Sequence, residues 1–583
     1  MDEQWQEWRD HVLRPLIEGC PPEADAVERL GGVALLSADT DRTQEYVFES
    51  SRLPEIRGGS LLLTDLNESE ARVEDGVPRN IKGVFEKYGL PQGTIGDDPP
   101  GCIVYAGGGS LLALVPSRIA NDLACEIEEL FPRETDLATI TCVWRKVGAA
   151  DMAQFNQVMA VQELALKRAK GLKAPRPFLE TMPFAQRCRS CGQRSATTTL
   201  TIGGSDHVIC GPCLIKYNYG RGQARGRWLR EFDDFLDREK LRDGFYGPCE
   251  EDGFPIAPPN DLGDIGVAAR GKKSGYIGFI YADGDEVGDY VQSRTTAQAY
   301  REASDRLVTA TRESVFRALA DSLTVRPITR LSADTGEKEN VCLIPFEIIT
   351  IGGDDVLLIV PADAALNVAR YLSQYFGEEM ARAEREEERT LTMSVGVVLA
   401  QHQTPVRTLR NLAGQLLKHG AKVRCRQTKK DGRPEACIDF LVLKSQAMLG
   451  STVGELRSEP PYLIEEAGEK LLLTHSPYTL SELEALLGDL EALQATAFPT
   501  SQLHPLAEAL QKGRHAATLF YQYQIARLQK TNEEQAQILI NLGRRWSPNH
   551  SIDPIPWTRT HTRGVKYQTA LLDLAKLYDF VPE

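Results

Sequence analysis

The sequence predicts an α+β multidomain fold: two α+β domains in tandem, an inserted four-cysteine zinc module and a C-terminal α-helical domain. Three observations predict it. Residues 31–175 repeat weakly in residues 271–445, two Cys-x-x-Cys pairs separate the copies, and leucines recur at helical spacing after residue 446. A chain of 583 residues is too long for one hydrophobic core, so several domains are expected.

The N-terminal segment, residues 1–30, reads as helical. It begins with "MDEQWQEWRDHVLRPLIEGC", which is acidic and amphipathic and lacks the basic start and apolar centre of a signal peptide. No run of 18 or more apolar residues follows, so we expect no membrane contact and a cytoplasmic protein. The net charge of −15 argues against a surface that coats nucleic acid everywhere, although a local basic groove remains compatible with it.

The two α+β domains, residues 31–175 and 271–445, share three anchors in the same order. "ALLSADTDRTQEYV" from Ala34 matches "GFIYADGDEVGDYV" from Gly278, and "GCIVYAGGGSLLALVP" from Gly101 matches "FEIITIGGDDVLLIVP" from Phe346. The third anchor aligns Ala169-Lys170 with Ala421-Lys422. Each copy is predicted as a strand, an Asp-rich turn, a helix, a strand hairpin with a glycine turn, a helix, a strand and a helix that ends in Ala-Lys.

Four acidic residues of the second copy are candidate metal ligands or phosphate contacts. Asp283 and Asp285 follow the first strand, and Asp354 and Asp355 lie in the hairpin. Carboxylates that approach one another need a cation, and Mg²⁺ prefers oxygen ligands. The alternative is an exposed turn with no ligand. Because adjacent strand residues point to opposite faces, one of Asp354 and Asp355 is the better candidate for a direct ligand, and the sequence does not tell which.

Several neighbouring residues are candidate nucleotide contacts. Gly284 and Asp285 lie in a turn that opens a helix, whose free N–H groups would hold a triphosphate, unless this turn is only an N-cap. Gly352 and Gly353 supply the positive φ of a tight hairpin, and Lys422 is placed to neutralise a phosphate. Lysines near helix C-termini are common for other reasons, so Lys422 alone is weak.

The first copy is expected to be catalytically silent. Its hairpin reads Gly107-Gly108-Gly109-Ser110, without a carboxylate at the tip. Asp39 and Asp41 at the end of its first strand would therefore lack partners for a metal ion.

Residues 176–270 are predicted as a zinc module and linker. Cys188-x-x-Cys191 and Cys210-x-x-Cys213 are two thiolate pairs at a spacing typical of tetrahedral Zn²⁺, whereas four unrelated thiols are the alternative. Four thiolates leave no position for substrate, so the zinc is structural and His207 is not needed. The other eight cysteines are expected to be ordinary buried thiols; they are Cys20, Cys102, Cys125, Cys142, Cys249, Cys342, Cys425 and Cys437.

Residues 446–583 are predicted as a helical domain. Thr479-x-x-Glu482 is a capping box, and leucines 483, 486, 487, 490 and 493 follow at helical spacing, which is typical of a core stripe. Just before this domain, Lys418 to Glu435 concentrates seven basic residues. A solvated face is the usual reading of such a run, and contact with RNA or triphosphate is the alternative.

The second copy resembles the palm domain that GGDEF domains, class III cyclases and many polymerases share. The "ADGD" strand end, the "GGDD" hairpin and the Ala-Lys helix carry this likeness over about 274–443, which implies a ferredoxin-like or GGDEF-type palm fold for both copies. Two palms around a zinc module, with "TQEYVFESSRLPEIRGGSLLL" from Thr43, resemble the large palm-bearing subunit of type III CRISPR effector complexes. The stretch Arg57 to Ser60 is its most specific part.

That resemblance implies an enzyme: a nucleotidyltransferase that makes cyclic oligoadenylate from ATP when its complex, with other effector subunits and crRNA, binds target RNA. By this resemblance, Asp283, Asp354 and Asp355 would hold two Mg²⁺ or Mn²⁺ ions, and Lys422 matches the family's pattern less specifically. The helical domain would contact small subunits of the complex. No His-Asp dinucleotide occurs, so the family's HD nuclease activity is expected to be absent. The alternatives are a stand-alone cyclic-dinucleotide cyclase and a non-enzymatic scaffold subunit.

Overall fold

The computed structural model describes residues 3–173, 184–202, 205–222, 226–249, 253–271, 274–332, 336–383, 391–444, 452–547, 557–559, 564 and 567–581. The expected domain boundaries near 175 and 445 lie outside these residues. Among the described helices, none has both the length and the apolar character needed to cross a membrane.

The N-terminal segment and the first palm contain nine helices and six strands within residues 3–173. The N-terminal helices are α1 (Glu3–Trp8), α2 (Arg14–Ile17) and α3 (Ala24–Leu30). The palm follows with β1 (Val33–Asp41), α4 (Thr43–Val47), α5 (Leu53–Glu68), β2 (Val73–Glu74), β3 (Val77–Pro78), α6 (Ile81–Lys87), β4 (Ile103–Gly107), β5 (Ser110–Pro116), α7 (Ala120–Thr135), β6 (Thr139–Val147), α8 (Ala149–Met152) and α9 (Phe155–Leu172).

The zinc module and linker lead into the second palm. The module and linker contain β7 (Thr198–Ile202), β8 (Ser205–Ile209), α10 (Gly211–Arg221), α11 (Arg227–Glu239), α12 (Arg242–Tyr246), β9 (Ile256–Ala257) and α13 (Leu262–Val267). The palm contains β10 (Tyr276–Gly284), α14 (Val287–Gln292), α15 (Ala297–Ser322), β11 (Arg326–Leu331), β12 (Lys338–Leu343), β13 (Glu347–Gly352), β14 (Asp355–Pro361), α16 (Ala365–Ala383), β15 (Met393–Gln401), α17 (Val406–Gln415), α18 (Lys422–Lys430) and β16 (Cys437–Val442).

The two palms share one sheet topology, which confirms the predicted fold class. The first sheet has the order β4-β5-β1-β6, and the second has β13-β14-β10-β15 at the equivalent positions. All of these pairs are antiparallel, as in a ferredoxin-like fold. Even an irregularity repeats, because the register shifts between Ile103 and Tyr105 in one hairpin and between Ile348 and Thr350 in the other. The second sheet then continues through β16, which lies parallel to β15.

The C-terminal domain is helical, as predicted, but it also carries a small sheet. Its elements are α19 (Val453–Arg457), β17 (Leu463–Glu466), β18 (Glu469–Leu472), β19 (Tyr478–Thr479), α20 (Leu480–Ala495), α21 (Thr500–Gln511), α22 (Arg514–Thr531), α23 (Glu533–Arg545), β20 (Thr558–Arg559), β21 (Tyr567–Gln568) and α24 (Leu571–Leu577). The capping box of Thr479 and Glu482 starts α20. Strand β19 extends the second palm's sheet through β16, so the domain is joined to the palm by backbone pairing.

The Arg57 to Ser60 stretch is explained by a close helix crossing. A Cβ at Gly58 would lie 1.9 Å from the carbonyl oxygen of Lys216 on α10, and a Cβ at Gly220 would lie 1.8 Å from the carbonyl oxygen of Pro54. Glycines therefore let α5 of the first palm pack directly on the helix of the zinc module. Arg57 points to the other side of α5 and reaches the second palm.

Two of the eight cysteines expected as free thiols are paired. Cys249 and Cys342, 93 residues apart, form a disulfide between the linker and β12. Cys20 and Cys125 are exposed, which also departs from the expectation of burial.

Candidate functional site

Three aspartates of the second palm meet at one end of its sheet. The register between β10 and β14 ends at Ala282 and Val356, and one further step brings Asp283 opposite Asp355. Asp354 lies in the two-residue turn, where Gly353 has a positive φ of 67°. Gly284 permits its approach, since a Cβ there would lie 3.1 Å from Cβ of Asp354. The turn thus lets Asp354 and Asp355 both approach Asp283, although adjacent residues of a regular strand point to opposite faces.

The three carboxylates are mutually unfavourable as charged groups. Burial, followed by the charges of Asp283 and Asp355, raises the pKa of Asp354 to about 8. Burial and the charge of Asp283 raise the pKa of Asp355 to about 7. A carboxyl with such a pKa lacks sufficient counter-charge in its surroundings. The cluster is therefore arranged to receive a cation.

Basic side chains from one continuous helical segment face this cluster. Lys422 forms an ion pair with Asp283 and donates to the carbonyl oxygen of Gly284 at 3.0 Å. Lys418 and Arg410 add weaker electrostatic support to Asp355. A π-helical stretch, Leu416–Ala421, joins α17 to α18, so the helix does not end at Ala421-Lys422 as the sequence suggested. Such stretches are frequent at functional sites.

The donor set fits Mg²⁺ or Mn²⁺. Asp283, Asp354 and Asp355 offer only carboxylate oxygens, and the exposed side of the cluster leaves room for water and phosphate oxygens. The raised pKa values of Asp354 and Asp355 also favour a cation site, because a divalent cation would stabilise the ionised carboxylates. Asp283, Asp354 and Asp355 would together hold these ions, which would supply Lewis-acid stabilisation of phosphate oxygens.

The first palm neutralises the equivalent position from within. Ser110 takes the place of Asp355 and donates to Asp39 at 2.8 Å. The ammonium of Lys170, the counterpart of Lys422, lies 2.5 Å from Asp39 and 3.6 Å from Asp41. The hairpin tip, Gly108 and Gly109, has positive φ at both residues and no side chain to offer. This arrangement leaves no cluster of unpaired carboxylates for a metal ion in the described first palm.

Asp285 is not brought into the cluster. Its buried carboxylate accepts hydrogen bonds from Thr392, just before the neighbouring strand β15, at 2.8 Å and from Ser394 on that strand at 2.9 Å. Asp41 makes the same contacts with Thr139 and Thr141 in the first palm. The repetition in a palm without the aspartate cluster indicates that this aspartate ties two strands together. The helix after it, α14, has six residues, and the triphosphate site expected at its N-terminus stays a prediction.

The two hairpins face one another across an inter-palm cleft. A Cβ at Gly108 would lie 3.3 Å from the carbonyl carbon of Gly352, so the glycine tips almost touch. A cavity of about 170 Å³ between them is lined by Thr43, Gln44, Thr350 and Asp355 among others. The first palm therefore contributes side chains to the space beside the aspartates, and sequence reasoning had not selected these residues.

One hydrogen bond links the first palm directly to β10, the strand that carries Asp283. Gln44 on α4 donates to the hydroxyl of Tyr281 at 2.8 Å. Tyr281 lies two residues before Asp283 on β10, and its ring lies 3.6 Å from the Cβ position of Gly414 on α17. No local pattern indicates this link, because its two residues are 237 positions apart.

The four predicted zinc cysteines converge. The sulfur atoms of Cys188, Cys191, Cys210 and Cys213 all lie within 4.8 Å of one another. The 3.9 Å between Cys191 and Cys210 is close to the ~3.8 Å edge of a tetrahedron with Zn–S bonds of about 2.3 Å. His207 does not belong to the group. The donor set fits a structural Zn²⁺ ion, whose chemistry would be to hold the two knuckles together.

Comparisons with known proteins agree with this architecture. Residues 276–432 match the family described as Cas10/Cmr2, second palm domain. No curated protein matches the chain. Among solved structures, Csm1 of T. onnurineus is similar with a TM-score of 0.50 and 11% identity, over 86% of this chain and 64% of that one. The chain thus spans less than two thirds of that Csm1, and at this identity the similarity shows the fold alone.

Two further solved structures are Csm1-Csm4 cassettes. The complex with cA3 has a TM-score of 0.49 and 13% identity, and covers 90% of this chain and 72% of that chain. The complex with pppApApA has a TM-score of 0.48 and 13% identity, with coverages of 94% and 69%.

Proposed function

We propose that this Cas10-like chain, in which residues 276–432 are a second palm domain of the Cas10/Cmr2 type, is the nucleotidyltransferase subunit of a type III CRISPR effector complex. It joins ATP molecules into cyclic oligoadenylate when the complex binds target RNA. The observation that carries the catalytic part is the convergence of Asp283, Asp354 and Asp355 at one end of the sheet, where burial and the charge of Asp283 raise the pKa of Asp354 and of Asp355.

The proposed reaction links the 3′-hydroxyl of one ATP to the α-phosphate of another, with pyrophosphate leaving. Bound Mg²⁺ or Mn²⁺ would supply Lewis-acid stabilisation of the phosphoryl oxygens. Asp283, Asp354 and Asp355 would hold the cations, next to the position of the α-phosphate at the end of β10. Lys422, which forms an ion pair with Asp283, would neutralise negative charge on the phosphates.

The inter-palm cleft supplies the acceptor nucleotide's position. Thr43 and Gln44 of the first palm line the cavity that contains Asp355 of the second. A nucleotide held there would lie beside the cations without needing carboxylates of the first palm. Positioning of two substrates in one cleft accounts for much of the rate enhancement in reactions of this kind.

The test is turnover in the assembled complex. With ATP, Mg²⁺ and target RNA, we expect cyclic oligoadenylate from the wild type and none from the double variant Asp354→Ala, Asp355→Ala. Asp39→Asn, in the silent palm, is the matched control and should keep activity if it folds normally. An inactive wild-type complex would reject the proposal. Product from GTP by the isolated chain, independent of RNA, would favour a stand-alone cyclase, and signalling unchanged by Asp283→Ala would favour a scaffold.

A further inference from the structure

A second and larger cavity, here called the junction cavity, lies where four parts of the chain meet. Its volume is about 440 Å³, and its lining comes from the start of α5, from α10, from the linker segment 259–263 and from His402 after β15. The volume is in the range of small-molecule sites.

The junction cavity is remote from the aspartate cluster. His402 donates its backbone N–H to Gly275 at the beginning of β10, whereas Asp283 lies near the end of that strand. Seven residues of strand separate Tyr276 from Asp283, which is roughly 23 Å at about 3.3 Å per residue. A ligand in the junction cavity therefore cannot touch the proposed catalytic carboxylates, and its binding does not depend on the catalytic proposal.

Two arginines give the cavity a cationic wall. Arg52 immediately precedes α5 and takes part in no ion pair among the described residues. Glu55, in the first turn of α5, is buried and accepts hydrogen bonds from Ser50 and Ser190, and burial raises the pKa of Glu55 to about 7. Arg221 on α10 is positioned by Tyr217, to whose hydroxyl it donates at 3.1 Å. Arg52 and Arg221 both line the cavity, and both residues are half-buried.

Two further polar residues of the lining, Asp261 and His402, are compatible with an anion that also carries hydrogen-bond donors. The carboxylate of Asp261 is turned to its own helix, where it accepts from the N–H groups of Gly263 at 2.8 Å and Asp264 at 3.2 Å. Nδ1 of His402 lies 3.0 Å from the carbonyl oxygen of Gly275. Since a carbonyl can only accept, Nδ1 carries the proton and Nε2 is the acceptor in the neutral ring.

Apolar side chains complete the lining of the cavity. They come from three different domains, so the wall exists only in the assembled chain; they are Leu53, Pro54, Ile202, Leu262 and Leu331. A flat ring system is a suitable occupant for such a wall, and a guanidinium pair is a suitable partner for phosphate.

We infer that the junction cavity binds the phosphate of a nucleotide, with Arg52 and Arg221 on the phosphate and the apolar wall against the base. The nucleotide is either free or part of a single-stranded RNA, because both present the same chemistry. Binding at this place would brace the first palm, the zinc module and the linker against the second palm.

The experiment is photo-crosslinking of the full chain with two probes, 8-azido-ATP and a short single-stranded RNA that contains 4-thiouridine. EDTA is present throughout, so that the aspartate cluster without cations repels phosphate, and zinc content is checked to exclude loss of the module. We expect adducts on peptides that contain residues 51–54 or 259–263. Arg52→Gln and Arg221→Gln should each lower the yield about tenfold at limiting probe, as for a lost charged hydrogen bond.

Arg168→Gln, an exposed arginine on α9, is the matched control and should leave the yield unchanged. Labelling by the ATP probe alone assigns a free nucleotide, and labelling by the RNA probe alone assigns an RNA nucleotide. The inference is overturned if neither probe labels these peptides, or if the double variant Arg52→Gln, Arg221→Gln labels as well as the wild type while it retains its zinc and its circular dichroism.

Discussion

Replacing Asp354 by asparagine should stabilise the metal-free protein relative to the wild type, and this difference should be larger at pH 8 than at pH 6. The unfolded side chain has a pKa of 3.8, whereas the folded one has a pKa of about 8. Between pH 6 and pH 8 the unfolded carboxyl is ionised, whereas the folded carboxyl is still about half protonated or more. The folded state therefore binds more protons, and wild-type stability falls as the pH rises.

The size of this effect follows from the two pKa values. One bound proton changes the free energy of unfolding by about 1.4 kcal/mol per pH unit. The folded carboxyl of Asp354 is about half ionised at pH 8, so the wild type loses about 2 kcal/mol of stability between pH 6 and pH 8. The asparagine variant has no proton to lose at this position. If the second palm unfolds as one unit, the melting temperatures should diverge by roughly 4–8 °C between pH 6 and pH 8.

The assay is differential scanning fluorimetry in EDTA at the two pH values, repeated with Mg²⁺. Added Mg²⁺ should remove most of the wild type's loss at pH 8, because cations favour the ionised carboxyls. Asp39→Asn is the control, since Asp39 is already satisfied by Lys170 and Ser110; it should gain no stability at either pH. If the difference in melting temperature between the wild type and Asp354→Asn is the same at pH 6 and at pH 8 in EDTA, the pKa of Asp354 is not raised in the folded protein.

Two of the three other predictions concern contacts between domains, and the third concerns the zinc site. Gly58→Ala should lower the free energy of unfolding by about 1–3 kcal/mol, because its Cβ would lie 1.9 Å from a carbonyl oxygen. Gly59→Ala should be tolerated, and urea unfolding of the two variants tests the difference. Arg57→Met breaks a buried bidentate pair with Glu347 and should cost about 3–5 kcal/mol, most of which Glu347→Met in the same chain should restore. Cys210→Ser should abolish stoichiometric zinc by elemental analysis; retained zinc would exclude the four-thiolate site.

The sequence was sufficient for the features that repeat or that have a fixed spacing. The duplicated strand, hairpin and Ala-Lys anchors predicted two palms, and the sheets confirm them. The family match over residues 276–432 confirms that the second copy is similar to the second palm domain of Cas10/Cmr2, and the solved Csm1 structure shares the fold. These predictions succeed because a shared pattern over long segments reports a shared topology.

Features that depend on pairing between distant residues could not be read from local patterns. The Arg57–Glu347 pair spans 290 positions, and the Cys249–Cys342 disulfide spans 93. Asp285 looked equivalent to its neighbour Asp283 because both follow the same strand. Its role depends on the register with β15, which places two hydroxyl groups against it. The sequence gives the residue types, and the register decides which of them face the site.

The helix that carries Lys422 shows the same limit. Its Ala-Lys anchor predicted an end, since the equivalent helix of the first palm ends two residues after Lys170. In the second palm a π-helical stretch continues it instead, and the basic residues beyond Lys422 are thereby held on a helix. A single inserted turn of this kind leaves no clear signature in composition.

Mn²⁺ binding to the full chain, measured by electron paramagnetic resonance, tests most directly whether Asp283, Asp354 and Asp355 form a divalent-cation site. We expect that the wild type binds Mn²⁺, that the triple variant Asp283→Asn, Asp354→Asn, Asp355→Asn does not, and that Asp39→Asn binds as the wild type does. Equal Mn²⁺ binding by the triple variant and the wild type would show that these aspartates do not hold the ion.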